Sequence, residues 1–239
     1  SLFDEKGELL GSSTQEYELL TPSPLSVELP AETFWNAFKV GIKEVLKKTK
    51  VNPNYIRVLG ISAQGETLLC LDKNGNPLRN TIIWLDNRAQ EEAEILSKEF
   101  DRNGHSYNIT GQVKIVPTWP ASKIYWIKRN EEKTFDKTDK FVLLEDYLIW
   151  RITGEMVAEG SLLCSTVYWN ITTKKYWDEM LDHLGVTPDR LPEIRESGEE
   201  IGGLKPEVAK ELGLSPKTVV ATGALDQACG DIGVGNIKP

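Results

Sequence analysis

Along this chain, segments with the apolar spacing of a helix alternate with short apolar runs typical of strands. This alternation is the strongest constraint on the fold. Residues 31–48 carry an apolar stripe that includes Phe34, Phe38 and Val45. Its 3.6-residue spacing predicts an amphipathic helix. Residues 54–62 follow as a short apolar run, which is typical of a buried strand. Helical segments interleaved with short strands predict α/β layers.

The rest of the chain continues the alternation. Asn74-Gly75 predicts a hairpin turn that leads into a strand over 81–85. The other predicted elements are a strand–turn–strand hairpin over 2–10, a helix over 88–100, a strand and helix over 140–153, helices over 174–184 and 205–212, and a strand over 218–222 followed by a helix from Gln227. Hairpins combined with crossover helices predict an α/β domain whose sheet is mixed.

Charge and cysteine usage narrow the class of protein. The chain has 28 basic and 36 acidic residues, a net charge of −8, which argues against a nucleic-acid-binding surface. No apolar run reaches the length of a membrane span, so no membrane partner is predicted. Three widely spaced cysteines indicate reduced thiols in a cytoplasm, and two histidines are too few for a structural zinc site.

Polar residues stand at three predicted strand ends, where α/β sheets bind their ligands. The stretches are Gln64-Gly65-Glu66, Trp84-Leu85-Asp86 with Arg88, and Asp226-Gln227. Each residue also has a purely structural interpretation: Asp226 as a helix N-cap, Glu66 as an exposed strand-end residue, Trp84 as core filling, and Arg88 and Gln227 as solvated residues in the first turn of a helix.

Four stretches resemble, in order, the FGGY family of carbohydrate kinases. They are "LFDEKGELL" from Leu2, "GISAQGETLLCLDKNGNPLRNTIIWLDNRA" from Gly60, "PASKIYWIKRN" from Pro120 and "GALDQACGDIGVG" from Gly223. Four ordered matches are a much more specific signal than any one alone. The resemblance implies an actin-like, ribonuclease-H-like α/β fold with a mixed sheet flanked by helices.

The resemblance also implies a reaction, the transfer of the γ-phosphoryl group of ATP, with Mg²⁺, to a hydroxyl of a sugar or polyol. Asp226 would then be the general base that accepts the hydroxyl proton. Substrate contacts would fall on Gln64, Gly65, Glu66, Trp84, Arg88 and Gln227, whereas Lys123 would be structural. Gly65 replaces a large basic residue of the glycerol kinase branch, which would leave room for a larger polyol.

Two departures from the family pattern matter. Thr118 stands where glycerol kinases have an aromatic residue that touches substrate, so a glycerol-specific site is not indicated. The family's first strand and its Asp-Gly-Thr phosphate loop would precede Ser1, and its nucleotide domain would follow Pro239. Residues 1–239 are therefore expected to be an N-terminal, substrate-side domain that is inactive alone. By analogy with the family, the whole protein could be a homodimer.

Two function classes remain open from the sequence. One is a cytoplasmic kinase acting on a linear polyol or open-chain ketose, and the other is a non-catalytic carbohydrate-binding or regulatory protein on the same scaffold. Asp226 favours the kinase, because a binding module has no need of a proton acceptor.

Overall fold

A computed structural model describes residues 1–236, in which helices and strands are interleaved along the chain. The strands are β1 (Leu2–Phe3), β2 (Leu9–Gly11), β3 (Leu20–Ser23), β4 (Ser26–Leu29), β5 (Val58–Ala63), β6 (Leu68–Leu71), β7 (Thr81–Ile82), β8 (Lys140–Leu143), β9 (Val157–Glu159), β10 (Trp169–Asn170), β11 (Lys175–Tyr176), β12 (Glu193–Arg195), β13 (Glu200–Gly203) and β14 (Val219–Leu225). The helices are α1 (Ala31–Thr49), α2 (Gln90–Phe100), α3 (His105–Thr110), α4 (Pro120–Asn130), α5 (Glu132–Lys137), α6 (Leu144–Thr153), α7 (Gly160–Leu163), α8 (Asp178–Leu184), α9 (Pro206–Leu212) and α10 (Asp226–Gly233). Within residues 1–236, no helix has the length and apolar character needed to cross a membrane.

The strands form several sheets, and the predicted mixed α/β fold is confirmed. One sheet has five antiparallel strands in the order β3-β4-β7-β6-β8. A second has the order β13-β14-β5, with β14 parallel to β5 and antiparallel to β13. Smaller pairs are β1 with β2, β10 with β11, and β9 with β12.

Two apolar clusters form the core on either side of the five-stranded sheet. Strand β6 is buried on both faces, which explains its continuous apolar sequence. Leu69 and Leu71 point into one cluster, and Leu68 and Cys70 point into the other. Helix α6 contacts β6 and β8 of the five-stranded sheet, β5 and β14 of the three-stranded sheet, and also β9. It therefore joins the two sheets.

The parallel pair β5–β14 sets the position of the candidate site. Its register runs from Val219 opposite Val58 to Leu225 opposite Ala63, so both strands end at the same edge. The register shifts between Ala221 and Ala224, at Gly223. A Cβ atom added to Gly223 would lie 1.6 Å from the Ile61 carbonyl oxygen, so only glycine permits this close backbone approach.

Two strands are shorter than their apolar runs predict. Strand β5 begins at Val58, because the Asn52 side chain caps a 3-10 helix over Pro53–Tyr55. Strand β7 ends at Ile82, because the chain turns there and the Asp86 amide donates to the Ile83 carbonyl. This turn takes Trp84 out of the sheet.

Candidate functional site

The shared carboxyl edge of β5 and β14 brings two of the predicted polar stretches together. Gln64-Gly65-Glu66 follows β5 directly, and Asp226 follows β14 as the first residue of α10. Since Leu225 pairs with Ala63, the two stretches leave the sheet side by side. Two of the three candidate stretches therefore lie at one edge of the sheet, and their role as a ligand site stays a prediction.

Asp226 presents an exposed carboxylate at this edge. Among the described residues, its one side-chain hydrogen bond comes from the neighbouring Gln227 amide, 2.9 Å from Oδ1. Leu225 is the N-cap of α10, and no side chain caps the helix. The interpretation of Asp226 as an N-cap is therefore wrong. Gln227 is also exposed, so both side chains are accessible to a ligand.

Glu66 faces the same space from the other strand. Its backbone adopts a left-handed conformation with φ +66°, which is uncommon for a residue other than glycine. Burial raises the pKa of the half-buried Glu66 carboxyl, and the charge of Asp226 adds to that increase. The charge of Lys123 and a hydrogen bond with Thr118 oppose it. The charges of Glu66 and Asp226 thus influence each other, and half-buried Glu66 is not a fully solvated strand-end residue.

Lys123 holds two of the strand ends together from inside the protein. Its fully buried ammonium group donates to the carbonyl oxygens of Glu66, at 2.8 Å, and Ile83, at 2.9 Å. Burial lowers the pKa of Lys123 to about 7, against the opposing charges of Asp86 and Glu66. The structural interpretation of Lys123 is confirmed, and its two bonds explain how the left-handed turn at Glu66 is maintained.

Thr67 is a site residue that the sequence did not single out. Its buried hydroxyl oxygen accepts from the Gln64 side chain at 2.8 Å and from the Trp84 amide at 3.2 Å. Trp84 is 44% exposed, so its interpretation as core filling is wrong. In the sequence, the only signal for Thr67 is its position next to Glu66. Its hydrogen bonds with Gln64 and Trp84 form only in the folded structure, so they could not be predicted from local pattern.

Arg88 is engaged with carboxylates of the protein itself. Its guanidinium group donates to Asp86 at 2.8 to 3.0 Å and to Glu28 at 2.8 Å, and it stacks 4.9 Å from the Trp126 ring. The side chain is only 8% exposed, so it is not a solvated surface arginine. These contacts give Arg88 a positioning role behind the Trp84 turn, and its predicted contact with substrate stays a prediction.

Gly65 differs from its expected role. A Cβ atom added there would lie 2.7 Å from Ser165 Oγ and 2.8 Å from Leu225 Cδ1. The missing side chain therefore accommodates the packing of Ser165 and Leu225 and does not leave room for a larger ligand. The expectation of extra space at Gly65 is wrong for this reason, although its backbone still lies between Gln64 and Glu66.

The end of β14 is fixed by side chains just before Asp226. The Leu225 amide donates to Ser161 Oγ at 3.0 Å, and that hydroxyl donates to Glu159 at 2.7 Å. Two residues earlier, the Gly223 amide donates to Glu145 Oε1 at 2.7 Å. Glu145 and Glu159 are both about 1% exposed. Buried carboxyl groups thus anchor the strand that carries Asp226.

The stability of this region should depend on pH through Glu145. Burial raises the pKa of Glu145 from 4.5 to about 8, and the Glu159 charge adds to the effect. The folded state therefore keeps a proton that the unfolded chain loses, so the contribution of Glu145 to stability is fully present below about pH 4.5 and is lost as the pH rises to about 8. Glu145→Gln should remove a decline on the order of 5 kcal/mol between those two pH values, measured by urea unfolding of the full-length protein at several pH values. An identical pH dependence in variant and wild type would contradict this.

The assembled groups suit a ligand with several hydroxyl groups. Glu66 and Asp226 offer carboxylate acceptors, Gln64 and Gln227 offer amides, and Trp84 offers an exposed aromatic face for carbon-bound hydrogens. Within residues 1–236, no group of three or more His, Cys, Asp or Glu side chains is placed to hold a metal ion.

Comparison with known proteins gives consistent matches. The N-terminal domain of the FGGY family of carbohydrate kinases matches residues 1–233. A xylulose kinase of Klebsiella pneumoniae is 32% identical over 234 residues, which is 98% of this chain and 47% of that protein. A glycerol kinase of Thermococcus gammatolerans is 33% identical over 213 residues, which is 87% of this chain and 42% of that protein.

Solved structures agree with these sequence matches. A ligand-bound xylulose kinase from Lactobacillus acidophilus superposes with a TM-score of 0.87 at 26% identity, covering 97% of this chain and 46% of that one. A structure described as a xyloylose kinase from Brucella ovis has a TM-score of 0.90 at 28% identity, covering 99% and 48%. The chain thus spans about half the length of the relatives it matches.

Proposed function

The chain belongs to the FGGY family of carbohydrate kinases, and from this membership we propose that it is the substrate-side part of an enzyme that phosphorylates a sugar or polyol hydroxyl. The observation that carries the proposal is the exposed Asp226 carboxylate beside Glu66 at the common edge of β5 and β14. A linear polyol or open-chain ketose is the proposed substrate class.

Asp226 is the proposed general base. The substrate hydroxyl gives its proton to the Asp226 carboxylate while its oxygen forms a bond to the γ-phosphorus of ATP, and the bond from that phosphorus to ADP breaks. Glu66, Gln64 and Gln227 would bind the other hydroxyls, and Trp84 would contact the carbon chain. Lys123 and Thr67 would hold Glu66, Gln64 and Trp84 in position through the bonds described above.

ATP and Mg²⁺ are proposed partners of the longer protein. Among the residues that the structure describes, no cluster of metal-ligating side chains is present, so no residue of this chain is proposed as a ligand of Mg²⁺.

We also propose that residues 1–239 are the N-terminal domain of that longer kinase. A groove of about 590 Å³ between β1 and the open edge of β5, lined in part by Leu2, Phe3 and Val58, offers space for a further strand in the sheet.

Removing the Glu66 carboxylate should weaken sugar binding. In the full-length protein, Glu66→Ala should reduce the affinity for the sugar about tenfold or more, because a hydrogen-bonding anchor of the ligand is lost. Isothermal titration calorimetry without nucleotide measures this directly. Glu91→Ala is the matched control, since Glu91 is an exposed acid paired with Arg129. Unchanged affinity for every sugar would show that Glu66 does not bind substrate.

Product identification tests the proposed reaction. Mass spectrometry of the full-length protein mixed with ATP, Mg²⁺ and individual sugars or polyols should reveal a sugar carrying one added phosphate. Phosphorus NMR of that product then shows which hydroxyl was modified. Conversion of ATP to ADP and inorganic phosphate, without any phosphorylated sugar or polyol, would contradict sugar phosphorylation.

A further inference from the structure

Glu145 lies behind the candidate site and takes no part in the proposed reaction. It is the second residue of α6, it is 1% exposed, and its Oε1 atom accepts a 2.7 Å bond from the Gly223 amide. The other oxygen, Oε2, is buried without a hydrogen-bond partner among the described residues. A buried acid with one unsatisfied oxygen is costly, so its presence here requires an explanation.

The Gly223 amide is a point at which β14 departs from regular pairing. The register with β5 shifts between Ala221 and Ala224, and the two backbones approach too closely for any side chain at Gly223. A strand with such an irregularity needs another partner for its amide. Glu145 supplies that partner from α6, so the direction in which β14 continues depends on this carboxyl group.

Only two residues, Ala224 and Leu225, separate Gly223 from Asp226. Within that interval, the Leu225 backbone amide donates a hydrogen bond to Ser161 Oγ, and the Ser161 hydroxyl donates one to Glu159. Glu159 also accepts from the Ser161 and Leu162 amides and from the Ser197 hydroxyl, so both of its oxygens are engaged by α7 and Ser197. The end of β14, just before Asp226, is thus held by two buried acids, Glu145 on α6 and Glu159 on β9.

We propose that Glu145 is a positioning residue for Asp226, acting through its bond to the Gly223 amide. This inference rests on the proposed function of Asp226 as general base. Glu159 is the charged group that faces Glu145 from β9, and Asp146 is its acidic neighbour on α6; both are buried. Burial raises the pKa of Glu145 to about 8, so a neutral carboxyl can form this bond near neutral pH.

Two substitutions in the full-length protein separate positioning from simple stability. Glu145→Gln keeps an oxygen acceptor for Gly223, whereas Glu145→Ala removes it. We expect Glu145→Ala to lower kcat about tenfold while the sugar KM changes little, because the base is displaced but the sugar contacts remain. Glu145→Gln should retain most of the wild-type kcat. Glu92→Gln is the control, since Glu92 is also a buried acid but bonds Arg129.

Hydrogen exchange gives a readout that does not depend on kinase activity. In Glu145→Ala, amides of the segment 221–227 should exchange about tenfold faster, with wild-type rates in Glu145→Gln and in the control. Wild-type exchange and wild-type kcat in Glu145→Ala would overturn the inference, as would equal losses in the Ala and Gln variants. If the wild-type protein phosphorylates no sugar, the proposed function is refuted, whatever the Glu145 variants show. If hydrogen exchange in Glu145→Ala is also unchanged, the anchoring of β14 by the Glu145–Gly223 bond is refuted as well.

Discussion

Asp226→Asn in the full-length protein should reduce kcat by a factor of about 100 or more, because the amide cannot accept the proton of the substrate hydroxyl. The fold should survive, since an asparagine oxygen can still accept the bond from the Gln227 amide. Sugar affinity should change little, because Glu66, Gln64 and Trp84 are untouched. Steady-state kinetics combined with calorimetric sugar binding measures both quantities on the same preparation.

Asp231→Asn is the matched control for this experiment. Asp231 is an exposed acid on the same helix, α10, so it reports the effect of removing one negative charge nearby. Its kcat should stay within about twofold of wild type. Near-normal turnover in Asp226→Asn would remove Asp226 from the role of base, whatever the control shows.

Gly223→Ala should destabilise the protein by about 3 kcal/mol or more, an unusually large effect for one added methyl group. The new Cβ atom would lie 1.6 Å from the carbonyl oxygen of Ile61 and 2.4 Å from its carbon. Both are backbone atoms of β5, so relief requires β5 and β14 to separate. Turnover should fall as well, because those strands carry Glu66 and Asp226. The midpoint of urea unfolding measures the loss of stability.

Gly230→Ala provides the opposite expectation in the adjacent helix. No atom lies within 4 Å of a Cβ added to Gly230, and alanine favours a helix over glycine by about 1 kcal/mol. This variant should therefore be as stable as wild type or slightly more stable. A Gly223→Ala protein with the stability of the Gly230→Ala protein would contradict the close approach of the two strands.

Local pattern predicted roughly half of the helices and strands, and it did not predict how the strands are divided among sheets. The stripe of α1 and the last residues of α6, α8 and α9 agree with the predicted ranges, because amphipathic spacing and left-handed glycine C-caps are local properties. The early start assigned to β5 was wrong because the Asn52 cap competes with strand formation. Division of the strands into separate sheets depends on pairings between distant residues, such as Leu68 with Leu143.

The candidate site was predicted where it depends on strand ends and missed where it depends on distant partners. Glu66 and Asp226 follow parallel strands, so their proximity could be predicted from topology. Besides its neighbour Asp86, Arg88 bonds Glu28, 60 residues away, and no local pattern identifies that second pair. Gly65 likewise packs on Ser165, so its apparent space in the sequence is filled by a residue far along the chain.

The most direct test of a sugar kinase function is ATP consumption by the full-length protein across pentuloses, hexuloses, tetritols, pentitols and glycerol. The structure and the family predict sugar-dependent turnover with one or two members of this panel, and loss of that turnover in Asp226→Asn. No turnover with any member, in a folded protein that still binds a sugar, would contradict the kinase and favour a carbohydrate-binding or regulatory protein on the same scaffold.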